Sequence, residues 1–600
     1  MYIKIDFLLL YKYYIIIIYI KIIGAKNLFN RLLHHNVKYV FGYPGGAILP
    51  VLNEFYNQKK IKYILTRTEA GGSFMAEGYS KVTKTPGVVM VTSGPGAINV
   101  MTSLQNALSD GTSLLALTGQ VSTSVLGTDA FQEADVVGIS TPCTKWNHMI
   151  KDGTEINNVV DKAFQKMLNK RHGPVLIDLP KNVMSNVHEQ NVSNVLPEND
   201  EQLKPTIGIY EMIHIIKNAK RPVVLAGQGI FQSDAVDDLR IFVKTYNLPV
   251  TTTLMGLGIY DEEEELSLKM VGMHGSYYAN MAIQNSDLII NFGSRFDDRI
   301  IGNPTKFAPN AKIIHIDILS KNINRTIKSH YYINDDCKKI LQKINRVNYG
   351  LYHPYAYQEW HFQINKWKRI PFQYPNKNGV LQGRHVISEL NKIIKKDIQN
   401  YRKKNKNNYT IVADVGAHQM WAAQFFDYNY PRVKFITSGG LGSMGFAVPS
   451  SMGVKVGLPD DIVICICGDG GFSMSFNEII TAIENKINIK VFIINNSYQL
   501  MVKMWQEKFY NNQIVGTKML NPPFELMCKS MGCESFKIDV NSSLQSDLNY
   551  VLNYEKGPIV VNVITDENES VLPMVSPGKA LDDMIIDEDG KETYTGDAPC

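Results

Sequence analysis

Apolar residues at Ala25, Leu28, Phe29, Leu32 and Leu33 recur at steps of three and four, which predicts an amphipathic helix. Residues 39–41 then form a strand-like run that ends in the turn Gly42-Tyr43-Pro44-Gly45-Gly46. Residues 87–92 and 175–179 read the same way, the former ending in Ser93-Gly94-Pro95-Gly96. Runs that are apolar at nearly every position predict strands covered on both faces. Strands alternating with helices predict a parallel sheet with helices on both sides. This rhythm occurs three times, so the fold class is α/β with three doubly wound domains, at 24–187, 207–345 and 380–567. Strand signals at 222–226, 287–292 and 312–317 mark the second unit. Residues 188–206 read as a polar linker, 346–379 as a long surface connection and 568–600 as a tail.

Residues 7–23 are nearly all Ile, Leu, Tyr and Phe, interrupted by Lys12 and Lys21. The run is short for a membrane span and lacks a small-residue cleavage site. It is expected to be an extension, 1–23, outside the fold, with a membrane anchor as the alternative. Across 600 residues, 62 basic side chains nearly balance 57 acidic ones, and no basic stripe points to nucleic acid. The seven cysteines are scattered without zinc-site spacing, so reduced thiols are expected. Heavy use of Ile, Asn, Lys and Tyr suggests an AT-rich gene and predicts a plastid stroma, with bacterial cytoplasm as the alternative.

The chemistry concentrates in the third unit. The apolar run 462–467 passes straight into Gly468-Asp469-Gly470-Gly471, and the run 491–494 passes straight into Asn495-Asn496. Two buried parallel strands would end side by side there, one presenting a carboxylate and the other an amide oxygen. Hard oxygen ligands beside a glycine-rich backbone suit Mg²⁺ bridging a diphosphate. Asp469, Asn496 and the main-chain carbonyl of Tyr498 are the candidate ligands. Val415-Gly416-Ala417-His418-Gln419 follows another apolar run, and its amides and His418 could hold a terminal phosphate. Gly440-Leu441-Gly442-Ser443-Met444-Gly445 matches the dinucleotide pattern G-x-G-x-x-G. The diphosphate pattern arrives within thirty residues of it, which argues against a nicotinamide dehydrogenase.

The Gly-Asp-Gly and Asn-Asn pair resembles the thiamine diphosphate motif. Nearly the whole chain resembles the catalytic subunits of the acetolactate (acetohydroxyacid) synthase family. The resemblance is carried by Phe41-Gly42-Tyr43-Pro44-Gly45-Gly46-Ala47, Gly127-Thr128-Asp129-Ala130-Phe131-Gln132-Glu133, Gly272-Met273-His274-Gly275, Arg295-Phe296-Asp297-Asp298-Arg299 and the stretch around Trp505. It implies decarboxylation of pyruvate on thiamine diphosphate and transfer of the two-carbon unit to a second 2-keto acid. It places Glu69 against the cofactor's pyrimidine ring as the proton-moving group. It implies that Gly46, Val415, Gly416, Ala417, His418, Gly442, Met444, Gly470, Gly471 and Met501 hold the same cofactor. Arg299 would clamp the acceptor carboxylate, Trp505 would shape the acceptor pocket, and Phe131, Gln132 and Lys181 would line the entrance. The middle unit resembles a flavin-adenine-dinucleotide (FAD) domain, with Arg171, Gly227, Thr253, Leu254, Met273, His274, Arg295, Asp317 and Asp336 as candidate contacts. A homodimer or homotetramer with shared sites and a small regulatory subunit are also implied.

The chain departs from that family's pattern at several places. Thr68 stands where His is usual, Tyr498 where His is common, Leu500 where Gly is usual and Met504 where Gln is usual. A leucine would be costly at a position requiring positive φ, so the loop at 500 is expected to differ. Ser122 stands in place of a proline that lines the sulfonylurea channel, which predicts weak inhibition by those compounds. Alternative readings are a pyruvate oxidase or glyoxylate carboligase, and a degenerate, non-catalytic relative.

Overall fold

The computed structural model describes residues 3–10, 13–196, 202–347, 356–370, 379–399 and 407–586, the first twenty by backbone alone. It opens with an antiparallel hairpin, β1 (Ile3–Leu10) with β2 (Tyr13–Ile23). The first unit carries β3 (Tyr39–Tyr43), β4 (Lys62–Leu65), β5 (Gly87–Val91), β6 (Leu114–Gln120), β7 (Trp146–Met149) and β8 (Val175–Pro180). These form one parallel sheet in the order β4-β3-β5-β6-β8-β7. β5, β6 and β8 are buried along their whole length, as their unbroken apolar runs require.

The short β9 (Val187–Glu189) pairs with the last three residues of β2. The extension is therefore tied to the first unit at its end, and the expected linker begins as a strand. Pro197, part of that linker reading, lies outside the described residues.

The middle unit carries β10 (Pro222–Ala226), β11 (Val250–Thr252), β12 (Ser267–Met270), β13 (Leu288–Phe292), β14 (Lys312–Ile316) and β15 (Tyr331–Ile333). Its parallel order is β12-β11-β10-β13-β14-β15. Counted within the unit this is 3-2-1-4-5-6, the dinucleotide-binding order, with its switch point between β10 and β13. The third unit carries β16 (Tyr409–Ala413), β17 (Val433–Thr437), β18 (Ile462–Gly468), β19 (Ile489–Asn495), β20 (Glu534–Ile538) and β21 (Ile559–Ile564). Its order, β17-β16-β18-β19-β21-β20, repeats that of the first unit strand for strand.

Two connections were expected to be loose and are packed. Within 346–379, the helix Gln358–Lys368 buries Trp360, Ile364 and Trp367, and the Trp360 indole donates to the Pro222 carbonyl at 3.1 Å. Its alternation of large apolar and polar residues hides a helix among Tyr, Pro and Lys. Residues 348–355 and 371–378 of the same tract lie outside the described residues. The tail is likewise no free end as far as residue 586. β22 (Met574–Val575) and β23 (Met584–Ile585) pair antiparallel, and Val575, Leu581 and Met584 enter the core of the middle unit.

The first and third units share a core. The helix Glu69–Thr83 lies against the helix Ala447–Gly457, and Met75 and Tyr79 join Phe446 and Met452 in one buried cluster. Glycines allow the approach: a Cβ on Gly453 would strike the Met75 carbonyl oxygen, and one on Gly78 would strike Ser450. No helix among the described residues is long and apolar enough to cross a membrane.

Candidate active site

A cavity of about 1190 Å³ lies along the carboxyl ends of the third and middle sheets. Single drug-sized ligands occupy clefts of roughly 300–1,000 Å³, so this one has room for more than one such molecule. The third unit supplies one wall through the segments that follow β16, β17, β18 and β19.

Asp469 stands at the end of β18 and Asn496 just past β19, on adjacent parallel strands. Both side chains line the cavity, as do Gly470, Gly471 and Tyr498. One carboxylate oxygen of Asp469 accepts from Asn521 Nδ2 at 2.6 Å. The same amide donates to Asn495 Oδ1 at 2.9 Å. Burial raises Asp469 above the usual carboxylate range against those donors, and no cation among the described residues pairs with it. A desolvated carboxylate beside an amide oxygen and a loop carbonyl is a donor set that fits a hard divalent cation. Asn521 was not anticipated, because a lone Asn in a Pro-rich stretch carries no motif.

A second unanticipated group is Asp414, at the foot of the Val415–His418 turn. Its carboxylate accepts the amides of Val415, Gly445 and Ala447 at 2.7, 3.1 and 3.0 Å. Burial pushes it up to about 6. A Cβ on Gly471 would meet this carboxylate at 2.9 Å. His418 is also buried, and burial pushes it down to about 3. Its Nε2 accepts the Gly468 amide at 3.2 Å. The ring is therefore neutral and engaged within the protein, and the residue lines the cavity.

The G-x-G-x-x-G segment leads through the helix Ala447–Gly457 to β18, a complete strand–helix–strand passage. Most of the amides in and beside it, however, are already spent. Gly439 and Gly440 donate to the Asp110 carboxylate, Gly442 and Ser443 to Ser438 Oγ, and Gly445 to Asp414. A pyrophosphate needs free N–H groups at a helix start, so this loop is a wall of the cavity rather than a phosphate cradle. Gly442 and Met444 line that wall, together with Met501 and Trp505 from the helix Leu500–Phe509. Leu500 opens this helix and is buried with Met504; Ser497 carries the positive φ instead. The expected strain at Leu500 is absent.

The middle unit supplies the other wall at its switch point. Arg171, from the first unit, lines this wall while donating within its own unit to the carbonyls of Leu108 and Ser109 at 2.7 and 2.5 Å. Arg295 donates to Ser109 at 3.3 Å. Asp317, at the end of β14, accepts from Leu319 N and Asn322 Nδ2, and Asp336 accepts from Lys338 N at 2.9 Å. These four line the cavity with Thr253, Leu254, Met273, His274 and Arg299. His274 is pushed down to about 4 by burial and then by the Arg299 charge, and Arg299 Nη1 lies 3.1 Å from Met273 Sδ. Ser294 Oγ is buried there without a protein partner, and three arginines, Arg171, Arg295 and Arg299, line the same space. That combination fits a polar, phosphate-bearing ligand. Gly227 departs from expectation. It packs against the Gly293 backbone instead of lining the cavity, and Gln228 and Gly229 take the lining position.

Five expected residues lie elsewhere. Gly46, Glu69, Phe131, Gln132 and Lys181 gather at the carboxyl ends of the first sheet and do not line the cavity. Glu69 begins the helix Glu69–Thr83 and accepts from Asn99 Nδ2 at 3.1 Å. Gly96 lies beside it, with Thr92 between Gly96 and Gly45, and Gly94 abuts the Gln132 main chain. Thr68, the departure from His, is the N-cap of this helix, its hydroxyl accepting the Gly71 amide at 2.9 Å.

Comparison with known proteins agrees with this division. The models for the N-terminal, central and C-terminal domains of thiamine pyrophosphate enzymes match residues 23–139, 209–344 and 414–563. The chain is 41% identical over 589 residues to the mitochondrial acetolactate synthase of Schizosaccharomyces pombe, covering 94% of this chain and 86% of that one. It is 39% identical over 567 residues to the acetolactate synthase large subunit of Lactococcus lactis, with coverage of 94% and 96%. The large subunit of Pyropia yezoensis is 36% identical over 577 residues, with coverage of 94% and 95%. Three thiamine pyrophosphate enzyme domains in this order, at this identity over nearly the whole length, make the chain a member of the acetolactate synthase catalytic-subunit family, thiamine-diphosphate-dependent carboligases.

Proposed function

We propose that this chain joins a two-carbon unit from pyruvate to pyruvate or 2-ketobutyrate, with each active site built from two copies of the chain. The observation that carries the reading is the placement of Asp469 and Asn496 at the ends of adjacent strands, facing a cavity that Arg299 and Trp505 also line. Asp469, Asn496 and the Tyr498 carbonyl would hold Mg²⁺. Gly470, Gly471 and the Val415–His418 main chain would hold the diphosphate of the thiamine cofactor. That cofactor, when bound, supplies a thiazolium able to accept the electron pair released when a 2-keto acid loses CO₂.

The protein's own part is positional and electrostatic. Glu69 would hold and return a proton at the cofactor's pyrimidine ring nitrogen. The Arg299 guanidinium would orient the acceptor carboxylate by paired charge-assisted hydrogen bonds. Trp505 would limit the space beside the acceptor's alkyl group and exclude water. Arg171 and Arg295 would hold the phosphates of FAD, and the Asp317 and Asp336 carboxylates would accept from its hydroxyl groups.

Within one chain Glu69, Gly46, Gln132 and Lys181 stand apart from the cavity. A second copy bringing its own Glu69 face to that cavity completes the site, which supports a homodimer or a homotetramer made of such pairs. A small regulatory subunit and a plastid stroma complete the proposed setting; imaging of a fluorescent fusion in mitochondria would overturn the latter.

Acetolactate formation by the purified chain, from pyruvate alone and with added 2-ketobutyrate, tests the activity. Asp469→Ala is expected to abolish Mg²⁺-dependent binding of thiamine diphosphate. Glu69→Gln is expected to bind it normally and turn over far more slowly. Normal turnover in Glu69→Gln would remove Glu69 from the reaction.

A further inference from the structure

Glu478 is a buried carboxylate with no place in the chemistry above. It opens the helix Glu478–Glu484 of the third unit, just beyond the Asp469–Ser473 turn. Apart from Thr481 of its own helix, its partners lie in the first unit, in the two residues that precede Glu69. Oε1 accepts the amides of Arg67 and Thr68, each at 3.0 Å, and the Thr68 hydroxyl at 3.2 Å. Oε2 accepts the Arg67 amide at 3.1 Å and the Thr481 hydroxyl at 2.9 Å. The Thr68 hydroxyl gives its proton to Glu478 while accepting the Gly71 amide as helix cap. Thr66 Oγ1 closes the turn on the Thr68 carbonyl at 2.9 Å. A Cβ on Gly71 would overlap Glu478 Oε1, so the carboxylate sits directly beneath the first turn of the Glu69 helix.

Three of these bonds, from the Arg67 and Thr68 amides, fix main chain rather than a distant side chain. Amide donors at successive residues, held by one rigid buried group, set the direction in which the next residue projects, and the next residue is Glu69. We propose that Glu478 is a positioning residue for Glu69: it clamps the Arg67–Thr68 turn so that the Glu69 carboxylate is presented at a fixed height and angle. The proposal deepens the reading of Glu69 as proton carrier and rests on it. It also gives Thr68 a function, since only a residue with a short hydroxyl can cap the helix and donate to Glu478 together.

A neighbouring contact provides the control. Arg67 Nη2 pairs with Glu484 Oε1 at 2.5 Å. That bridge joins the same two units but reaches only the end of the Arg67 side chain, so it can hold the units together without aiming the turn.

The test uses the full-length enzyme. Glu478→Ala is expected to lower kcat by about 10–100-fold, the loss that an ångström-scale misplacement causes. Its KM for pyruvate and its calorimetric affinity for Mg²⁺–thiamine diphosphate should stay within about twofold, while amide hydrogen exchange across residues 66–71, measured without cofactor, should quicken at least about tenfold. Glu478→Gln should retain part of both effects, because one oxygen can still accept. Thr68→Val should reproduce part of them with the carboxylate intact, which keeps the test open if Glu478→Ala does not fold. Glu484→Ala should leave kcat and the exchange unchanged. In a Glu69→Gln background Glu478→Ala should cost nothing further in kcat. Unchanged exchange at 66–71, an equal loss of kcat in both backgrounds, or a matching loss in Glu484→Ala would overturn the proposal. Wild-type turnover in Glu69→Gln would overturn it through the underlying reading, and is told apart by exchange that still responds to Glu478→Ala.

Discussion

Removing the Asn521 side chain should weaken the metal end of the cavity without touching any proposed ligand. The amide holds Asp469 Oδ2 at 2.6 Å and Asn495 Oδ1 at 2.9 Å, so it fixes the carboxylate against the strand that leads to Asn496. Of the groups that favour the charged form of Asp469, it is the strongest. A hydrogen bond to a charged group contributes about 1.5–3 kcal/mol, and each 1.4 kcal/mol is about tenfold in a binding constant. Asn521→Ala should therefore weaken Mg²⁺ binding by about 10–100-fold, the range found for groups that orient metal ligands. The assay is calorimetric titration of thiamine diphosphate into the protein at a series of Mg²⁺ concentrations. The expected result is a shift in the Mg²⁺ midpoint, with affinity recovered at high Mg²⁺. A midpoint within twofold of wild type would show that Asp469 is aimed by its own backbone and would refute the reasoning.

Three further outcomes can be measured. Burial alone would raise Asp427, but the Lys269 ammonium and hydrogen bonds from Lys269, Asn391 and Lys395 hold it down at about 2. A depressed carboxylate contributes stability that is present above its unfolded value of 3.8 and lost as pH falls from there towards 2. Asp427→Asn should cost about 2 kcal/mol at neutral pH, and the urea midpoint should lose most of its slope between pH 4 and 2. Trp505→Leu should enlarge the acceptor space and change the ratio of products from 2-ketobutyrate and pyruvate by about tenfold, read in a competition assay. Ser122 has φ −60° and ψ 140°, a conformation proline adopts without strain; Ser122→Pro should fold with unchanged or higher melting temperature and become more sensitive to sulfonylureas, and equal inhibition of both forms would refute the expectation.

Much of the architecture was legible because buried parallel strands write themselves as unbroken apolar runs. The runs 462–467 and 491–494 became β18 and β19 with their polar ends side by side. Edge strands were harder: β7, Trp146–Met149, is only partly buried along its length and carries no such run. The helix bearing Trp360 and Trp367 was obscured by tyrosines, prolines and lysines around it. Motif residues were found where a turn needs glycine beside a polar group, as at Asp469. Asp110, Asp414, Glu478 and Asn521 escaped because each acts on groups far away in sequence, and no local spacing records such a pairing. Gly227 was assigned to a ligand but packs against the Gly293 backbone, a distinction that only its neighbours reveal.

The strip from Val571 to Ile585 sets the order in which the molecule can be finished. Val571, Leu572 and Met574 complete the core of the third unit, Val575, Leu581 and Met584 that of the middle one, and the Val575 amide ties down Met273 at 2.8 Å. During translation the middle unit leaves the ribosome hundreds of residues before its last core side chains do. It waits, incomplete, until this segment emerges and docks, so a nonsense mutation near residue 570 would disable a cavity wall encoded in the middle of the gene.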